Sequence, residues 1–261
     1  PALAGVERIG AGAAGVVYRV RGADGGEAAL KLLDPGLNAD PRESLRFLNS
    51  ARAQGRVTHP HVARVPSAEL IAGQALAVSE LAAQGSLATA LSAGTGQPAT
   101  RVLPWLRDAA HALQAAEERG LVHRGLRPGN LLLDAEGAVV VGDFGTCAYY
   151  DRAQPQAGPA TNWIAPEEAT GAEPDARANQ FSLGCIAWQA LTGALPFATS
   201  ERAASALARH DQVLPPPAVA HDLLKVLARL LARAPENRYP GWAEAAADLD
   251  ALVRGVAPST A

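Results

Sequence analysis

Methionine is absent, and cysteine is nearly so, with only Cys147 and Cys185 far apart along the chain. Two isolated thiols cannot build a disulfide scaffold or a zinc cluster, and they read as ordinary thiols in a reducing compartment. Aromatic residues are scarce at 5%. With alanine abundant instead, the core should be tight, made of small residues and rich in helix. There is no basic excess: the formal net charge is −3 and the pI about 6.1. That excludes a nucleic-acid-binding protein or a membrane-surface protein, both of which need a strong positive field. No apolar run approaches the ~18 residues of a membrane span. No signal peptide opens the chain. With Pro1 first and no Met, a processed or excised piece is expected: cytoplasmic, or the cytoplasmic part of a longer, tethered protein. What is present argues for a real core, since 48% of residues are hydrophobic and 19% charged, which rules out wholesale disorder.

At roughly 150 residues per domain, this length makes one large domain or two lobes sharing a cleft. The chain changes character near residue 80. Before it, apolar alternations such as Val16-Val17-Tyr18-Arg19-Val20 and Ala28-Ala29-Leu30-Lys31-Leu32-Leu33 flank the turn Asp24-Gly25-Gly26, a hairpin pattern. A helix is expected from about residue 42 to 57, with short strands over 62–65 and 74–80. Beyond residue 85, Trp105, Leu106, Ala109, Ala110, Leu113 and Ala116 recur at three and four, the buried stripe of an amphipathic helix. Further helices read at 178–192, 199–210, 221–233 and 242–253, punctuated by Pro215-Pro216-Pro217 and Pro235. The pattern is α+β: a small β-rich lobe, a larger helical lobe and a cleft between them. The tail 256–261 is expected to fray.

The chemistry-bearing motifs come in a fixed order. Gly10-Ala11-Gly12-Ala13-Ala14-Gly15 is weak alone, fitting a dinucleotide turn or a plain flexible stretch. A dinucleotide fingerprint should open a helix, whereas these glycines are followed by a β-branched strand and a hairpin. That context suits a loop lying over phosphates, where glycine lets backbone N–H groups approach an anion. Lys31 sits inside an apolar strand. His123-Arg124-Gly125-Leu126-Arg127-Pro128-Gly129-Asn130 then precedes three leucines. Asp143-Phe144-Gly145 follows three valines and a glycine, and Ala165-Pro166-Glu167 follows in turn. The remaining histidines read as bland: His59 beside a proline turn, His61 and His111 structural, His210 and His221 solvent-facing. No pair has metal-ligand spacing in one element.

In order, spacing and context these motifs resemble the bacterial Hanks-type (eukaryotic-like) Ser/Thr protein kinase domain, over essentially the whole chain. The resemblance implies a two-lobed kinase-like domain over 1–255, with an N-lobe over 1–80, a hinge over 81–85 and a C-lobe over 86–255. It implies a nucleotide site with Gly10, Gly12 and Gly15 over the phosphates and Val17, Ala29 and Leu132 around the adenine. Glu80 and Ala82 would offer hinge backbone groups and Ser86 would reach the ribose. Lys31 would hold phosphate, and Asn130 and Asp143 would ligate Mg²⁺ with ATP or ADP. Asn179-Gln180-Phe181 resembles the central helix of the large lobe, and Arg238 the partner of Glu167.

Departures from the family pattern shape the functional expectation. Gly125 stands where the family has the Asp that receives the substrate hydroxyl proton, and Arg127 replaces a Lys. On the helix that should supply the ion-pair Glu, an ungapped count from His59-Pro60 puts Ser50 in its place, leaving Lys31 without that partner. Gln54, in a normally apolar position, is expected to loosen the helix from the cleft. Asn179 replaces a bracing Asp. These losses lead to the expectation of a pseudokinase: no enzyme, no catalytic residues, but a regulatory or scaffolding module for a protein partner such as an active kinase or a phosphopeptide-binding protein. The alternative is a weakly active or unconventional Ser/Thr protein kinase, because losing a general base costs about 10²–10⁴ in rate rather than all of it.

Overall fold

The computed structural model describes residues 3–12, 14–23, 25–145, 160–169, 171, 173–196 and 219–259. The expected helix over 199–210, the proline run, Asp24, Cys147 and His210 lie outside them. Three strands open the fold: β1 (Leu3–Gly12), β2 (Gly15–Gly22) and β3 (Glu27–Leu33). The helices α1 (Pro35–Asn38) and α2 (Pro41–Gly55) follow, then β4 (Ser67–Ile71) and β5 (Gln74–Ser79). The five strands form one antiparallel sheet in the order β1-β2-β3-β5-β4. Helix α2 starts where Asp40 accepts from the Arg42 N–H at 2.8 Å and Pro41 supplies a preset first turn. Its buried face, Phe47, Leu48 and Ala51, packs against the sheet with Leu33, Ala68 and Ala75.

Sheet register decides which side chains meet the cleft. Val17 pairs with Lys31 and Lys31 with Ala77, while Arg19 pairs with Ala29 and Ala29 with Ser79. Paired residues and those two apart share a face. Val17, Ala29, Lys31, Ala77 and Ser79 therefore lie on one side of the sheet.

The second lobe is mainly helical among its described residues. Its elements are α3 (Leu87–Ala90), α4 (Ala99–Glu117), the hairpin of β6 (Leu131–Leu133) with β7 (Val139–Val141), α5 (Pro166–Ala169), α6 (Ala176–Thr192), α7 (His221–Leu230) and α8 (Trp242–Val253). The stripe expected around Trp105 is the buried face of α4, packed on β7, α6 and α8. Helix α6 is capped by Asp175 and ends at Gly193 (φ 79°), where an added Cβ would stand 2.1 Å from the Gly94 carbonyl oxygen. Only glycine fits that turn. His221 is exposed, as expected, and the Cys185 thiol is buried.

Two expectations change. Residues 62–65 form no strand; Val62 makes an isolated parallel bridge to Val141, and the Ala63 N–H donates to the Val141 carbonyl at 2.9 Å. Val62 and Ala63 are buried as a tie between lobes rather than within the sheet. Nor does the tail hang free from Val256, because the Ser259 N–H and hydroxyl donate to Asp248 Oδ1 at 2.7 and 2.8 Å.

Candidate functional site

A cleft of about 1270 Å³ lies between the lobes. Its lining includes Gly10, Gly12, Gly15, Val17, Ala29 and Lys31 from the sheet. Glu80, Ala82 and Ser86 line it from the connecting segment, and Asn130, Leu132 and Asp143 from the large lobe. Every nucleotide-site candidate read from the sequence thus borders one space. Gly15 also has a structural duty. At φ 141° an added Cβ would stand 1.9 Å from the Leu32 carbonyl oxygen, so the close approach of β2 to β3 requires glycine there.

The hairpin β6–β7 joins the two oxygen-bearing side chains. Asn130 immediately precedes β6, Gly142 and Asp143 follow β7, and the Gly142 N–H donates to the Asn130 carbonyl at 2.9 Å. The Asn130 amide nitrogen donates to the Gly125 carbonyl at 2.8 Å, which fixes the orientation of that side chain. Asp143 is held at φ 59°, and Arg124 at φ 56°, in the left-handed region that non-glycine residues rarely occupy.

Lys31 is not left without a charged partner. Its Nζ donates to Asp143 Oδ2 at 2.8 Å, and the side chains of the pair are 14% and 39% exposed. Burial pushes the Asp143 carboxyl up, but the Lys31 ammonium, by charge and hydrogen bond, outweighs it with help from the Arg127 guanidinium. The net direction is down, so Asp143 is held ionised. His123 is fully buried, donates from Nε2 to the Gly142 carbonyl at 2.9 Å, and packs tilted against Phe144 with ring centroids 4.6 Å apart. Burial lowers its pKa to about 4, which keeps the imidazole neutral.

Gln54 does the opposite of what its polarity implied. It is buried on the inner face of α2, donating through Nε2 to the Ala63 carbonyl at 2.7 Å and accepting at Oε1 from the Phe144 N–H at 3.1 Å. The helix is pinned to the cleft rather than loosened from it. Ser50, one turn earlier, faces the same turn: its Oγ lies 3.2 Å from the position a Cβ on Gly145 would take. Glu43, a carboxylate two turns before Ser50 on the same helix, pairs with Arg46 at 3.1 Å. Asn179 supports the segment that runs from His123 to Asn130 as an uncharged acceptor, taking the Arg124 N–H at 3.3 Å. Arg127 lines the cleft, and its Nη2 lies 3.7 Å from the position a Cβ on Gly12 would take. The Gln54 bridge escaped the sequence reading; its only signal was a polar residue on an apolar helix face. Ser79 lines the same cleft together with Ala51, Ala63 and Ala77.

This donor set suits the group that the fold implies. An ionised carboxylate and a fixed amide are hard oxygen ligands of the kind Mg²⁺ takes, and two cations, Lys31 and Arg127, border the same space as a polyphosphate would require.

Deeper in the large lobe, Arg238 donates from Nη1 and Nη2 to the two oxygens of Glu167 at 2.6 and 2.9 Å. This is the bracing ion pair that the two motifs imply. A small sheet lobe, a helical lobe, an interlobe Lys–Asp pair and this brace define a protein kinase domain.

The chain belongs to the protein kinase domain family, which matches residues 3–248, in its bacterial Hanks-type, PknB-like branch. It is 32% identical to the serine/threonine-protein kinase PknB of Mycobacterium leprae, over 89% of this chain and 40% of that protein. It is 34% identical to the serine/threonine-protein kinase Pkn1 of Myxococcus xanthus, over 90% of this chain and 36% of that protein. The chain therefore spans about two-fifths of the length of the curated relatives it matches. Among solved structures, the Mycobacterium tuberculosis PknI kinase domain superposes with a TM-score of 0.73 at 29% identity, covering 98% of each chain. The expectation that this chain is no enzyme is overturned by these relatives, which are named serine/threonine-protein kinases and match it across nine-tenths of its length. Its reasoning failed at two physical points, the supposed isolation of Lys31 and the supposed loosening by Gln54.

Proposed function

We propose that this chain is an unconventional Ser/Thr protein kinase domain that transfers the γ-phosphoryl group of ATP to a protein hydroxyl. The observation that carries the reading is the 2.8 Å Lys31–Asp143 ion pair across a cleft that every nucleotide-site candidate borders. In this reading the N-lobe covers 1–80, the hinge 81–85 and the C-lobe 86–255. Backbone groups of Glu80 and Ala82 take the adenine edge, Val17, Ala29 and Leu132 cover its faces, and Ser86 takes the ribose. Lys31 and Arg127 neutralise phosphate charge. Asp143 and Asn130 are the residues that would hold Mg²⁺, which when bound supplies charge neutralisation at the phosphoryl oxygens.

Gly125 changes the mechanism without removing it. Phosphoryl transfer has a loose transition state in which positioning and electrostatics do most of the catalysis. The acceptor oxygen bonds to the γ-phosphorus as the bond to the bridging oxygen breaks, and the hydroxyl proton goes to solvent because no carboxylate stands at residue 125. A missing base lowers the rate by about 10²–10⁴ and leaves the electrostatic part in place. Because ATP is the donor, the domain works on the cytoplasmic side, tethered or not.

The test is phosphoryl transfer from labelled ATP with Mg²⁺ or Mn²⁺ to generic Ser/Thr protein substrates. Slow, time-dependent incorporation should be lost in Lys31→Ala and Asp143→Asn. Incorporation by the parent that is no faster than in these variants refutes the reading.

A further inference from the structure

Helix α2 reaches the cleft chemistry through an amide rather than a carboxylate. Ser50 carries no charge to pair with Lys31, yet α2 is still tied inward, and the tie is Gln54. That side chain is buried and uses both ends of its amide on backbone groups, the Ala63 carbonyl at 2.7 Å and the Phe144 N–H at 3.1 Å. One side chain thus joins α2, the segment leading to β4, and the peptide between Asp143 and Phe144. That peptide matters because its plane sets ψ of Asp143, whose φ of 59° is a conformation the surroundings must hold. The Ala63 end is anchored independently, since the Ala63 N–H donates to the Val141 carbonyl on the strand that delivers Asp143. An amide is the side chain of this length that offers a donor to one backbone group and an acceptor to the other.

We propose that Gln54 is a positioning residue that couples α2 to Asp143, in place of a carboxylate pairing with Lys31, and so sets how readily the cleft takes Mg²⁺ with nucleotide. This rests on the kinase reading, and its test reads binding rather than transfer. Gln54→Leu and Gln54→Met remove the two hydrogen bonds while keeping an apolar side chain of similar size. ADP is titrated into parent and variants by calorimetry, in EDTA and across a range of Mg²⁺.

The variants should require about tenfold more Mg²⁺ for the same ADP affinity, the scale of losing buried hydrogen bonds, while ADP affinity in EDTA stays within about twofold of the parent. In transfer assays kcat should fall and KM for the protein substrate should hold. A parent-like Mg²⁺ requirement in either folded variant overturns the proposal. So does an equal loss with and without metal, and so does failure of both variants to fold, each of which makes the amide a structural strut only. A parent that binds Mg²⁺ with ADP but transfers nothing refutes the kinase reading and leaves the Gln54 result standing.

Discussion

Replacing Glu167 with Ala tests the brace beneath the site. All of the Arg238 donors are used: Nε on the Ala232 carbonyl at 2.8 Å, Nη1 on Glu167 and the Arg177 carbonyl at 2.9 Å, Nη2 on Glu167 and the Arg233 carbonyl at 3.0 Å. The Arg238 side chain has no exposure, while that of Glu167 is 18% exposed. The variant leaves a buried guanidinium with two N–H groups facing a void and no counter-charge. Breaking such a pair costs about 3–5 kcal/mol, and the partial exposure of Glu167 lets water recover some of it, which points to about 3 kcal/mol. For a domain of this size that is a fall in Tm of about 6–12 °C. Glu167→Gln keeps one acceptor and should fall between parent and Ala variant. The assay is thermal unfolding followed by circular dichroism with urea midpoints as a check. A Glu167→Ala protein melting within about 2 °C of the parent refutes the reasoning.

Three further outcomes are expected. Stability should decline as pH falls from 6.5 towards 4, because His123 is neutral in the fold while the unfolded chain takes up a proton; the loss is about 3 kcal/mol, and a flat urea midpoint over that range contradicts it. Gly125→Asp should raise kcat at least about 10²-fold, the low end of the 10²–10⁴ scale of a positioned base, at a few degrees of Tm because residue 125 sits at φ 153°; an unchanged kcat shows that the missing acceptor is not limiting. Gly15→Ala should destabilise the domain by about 2 kcal/mol or more, since its Cβ collides with the Leu32 carbonyl, and a parent-like melting curve sinks that claim.

Much of the architecture was readable because it rests on periodicity and local spacing. The alanine-rich stripe of α4 reports a buried face directly, and the apolar runs of β2 and β3 mark strands most of whose residues are half-buried. The strand expected over 62–65 failed because an apolar run says that residues are buried but not against what; Val62 and Ala63 are buried where the lobes meet. The true strand β4 carries Leu70 and Ile71 exposed, so its pattern is weak. The site was legible as a set of residues but not as a set of contacts. Asp143 lies 112 residues from Lys31, and a search for the missing helix carboxylate overlooked it as the partner. Gln54 bonds to backbone atoms 9 and 90 residues away, and backbone atoms leave no signature in side-chain identity.

Lys31 and Lys225 are the lysines of this chain. One lies in the cleft, bound to Asp143; the other lies on α7 beside Asp222, with its side chain 34% exposed. An amine-directed acylating reagent therefore meets two primary side-chain amines in unlike settings. Lys225 supplies the reference rate of a surface amine. Lys31 must first release its carboxylate and be reached through the interlobe opening, so its labelling measures whether the cleft is open or filled. Peptide mapping of the two acylated sites turns this scarcity of lysine into an internal occupancy gauge, readable without any substrate being known.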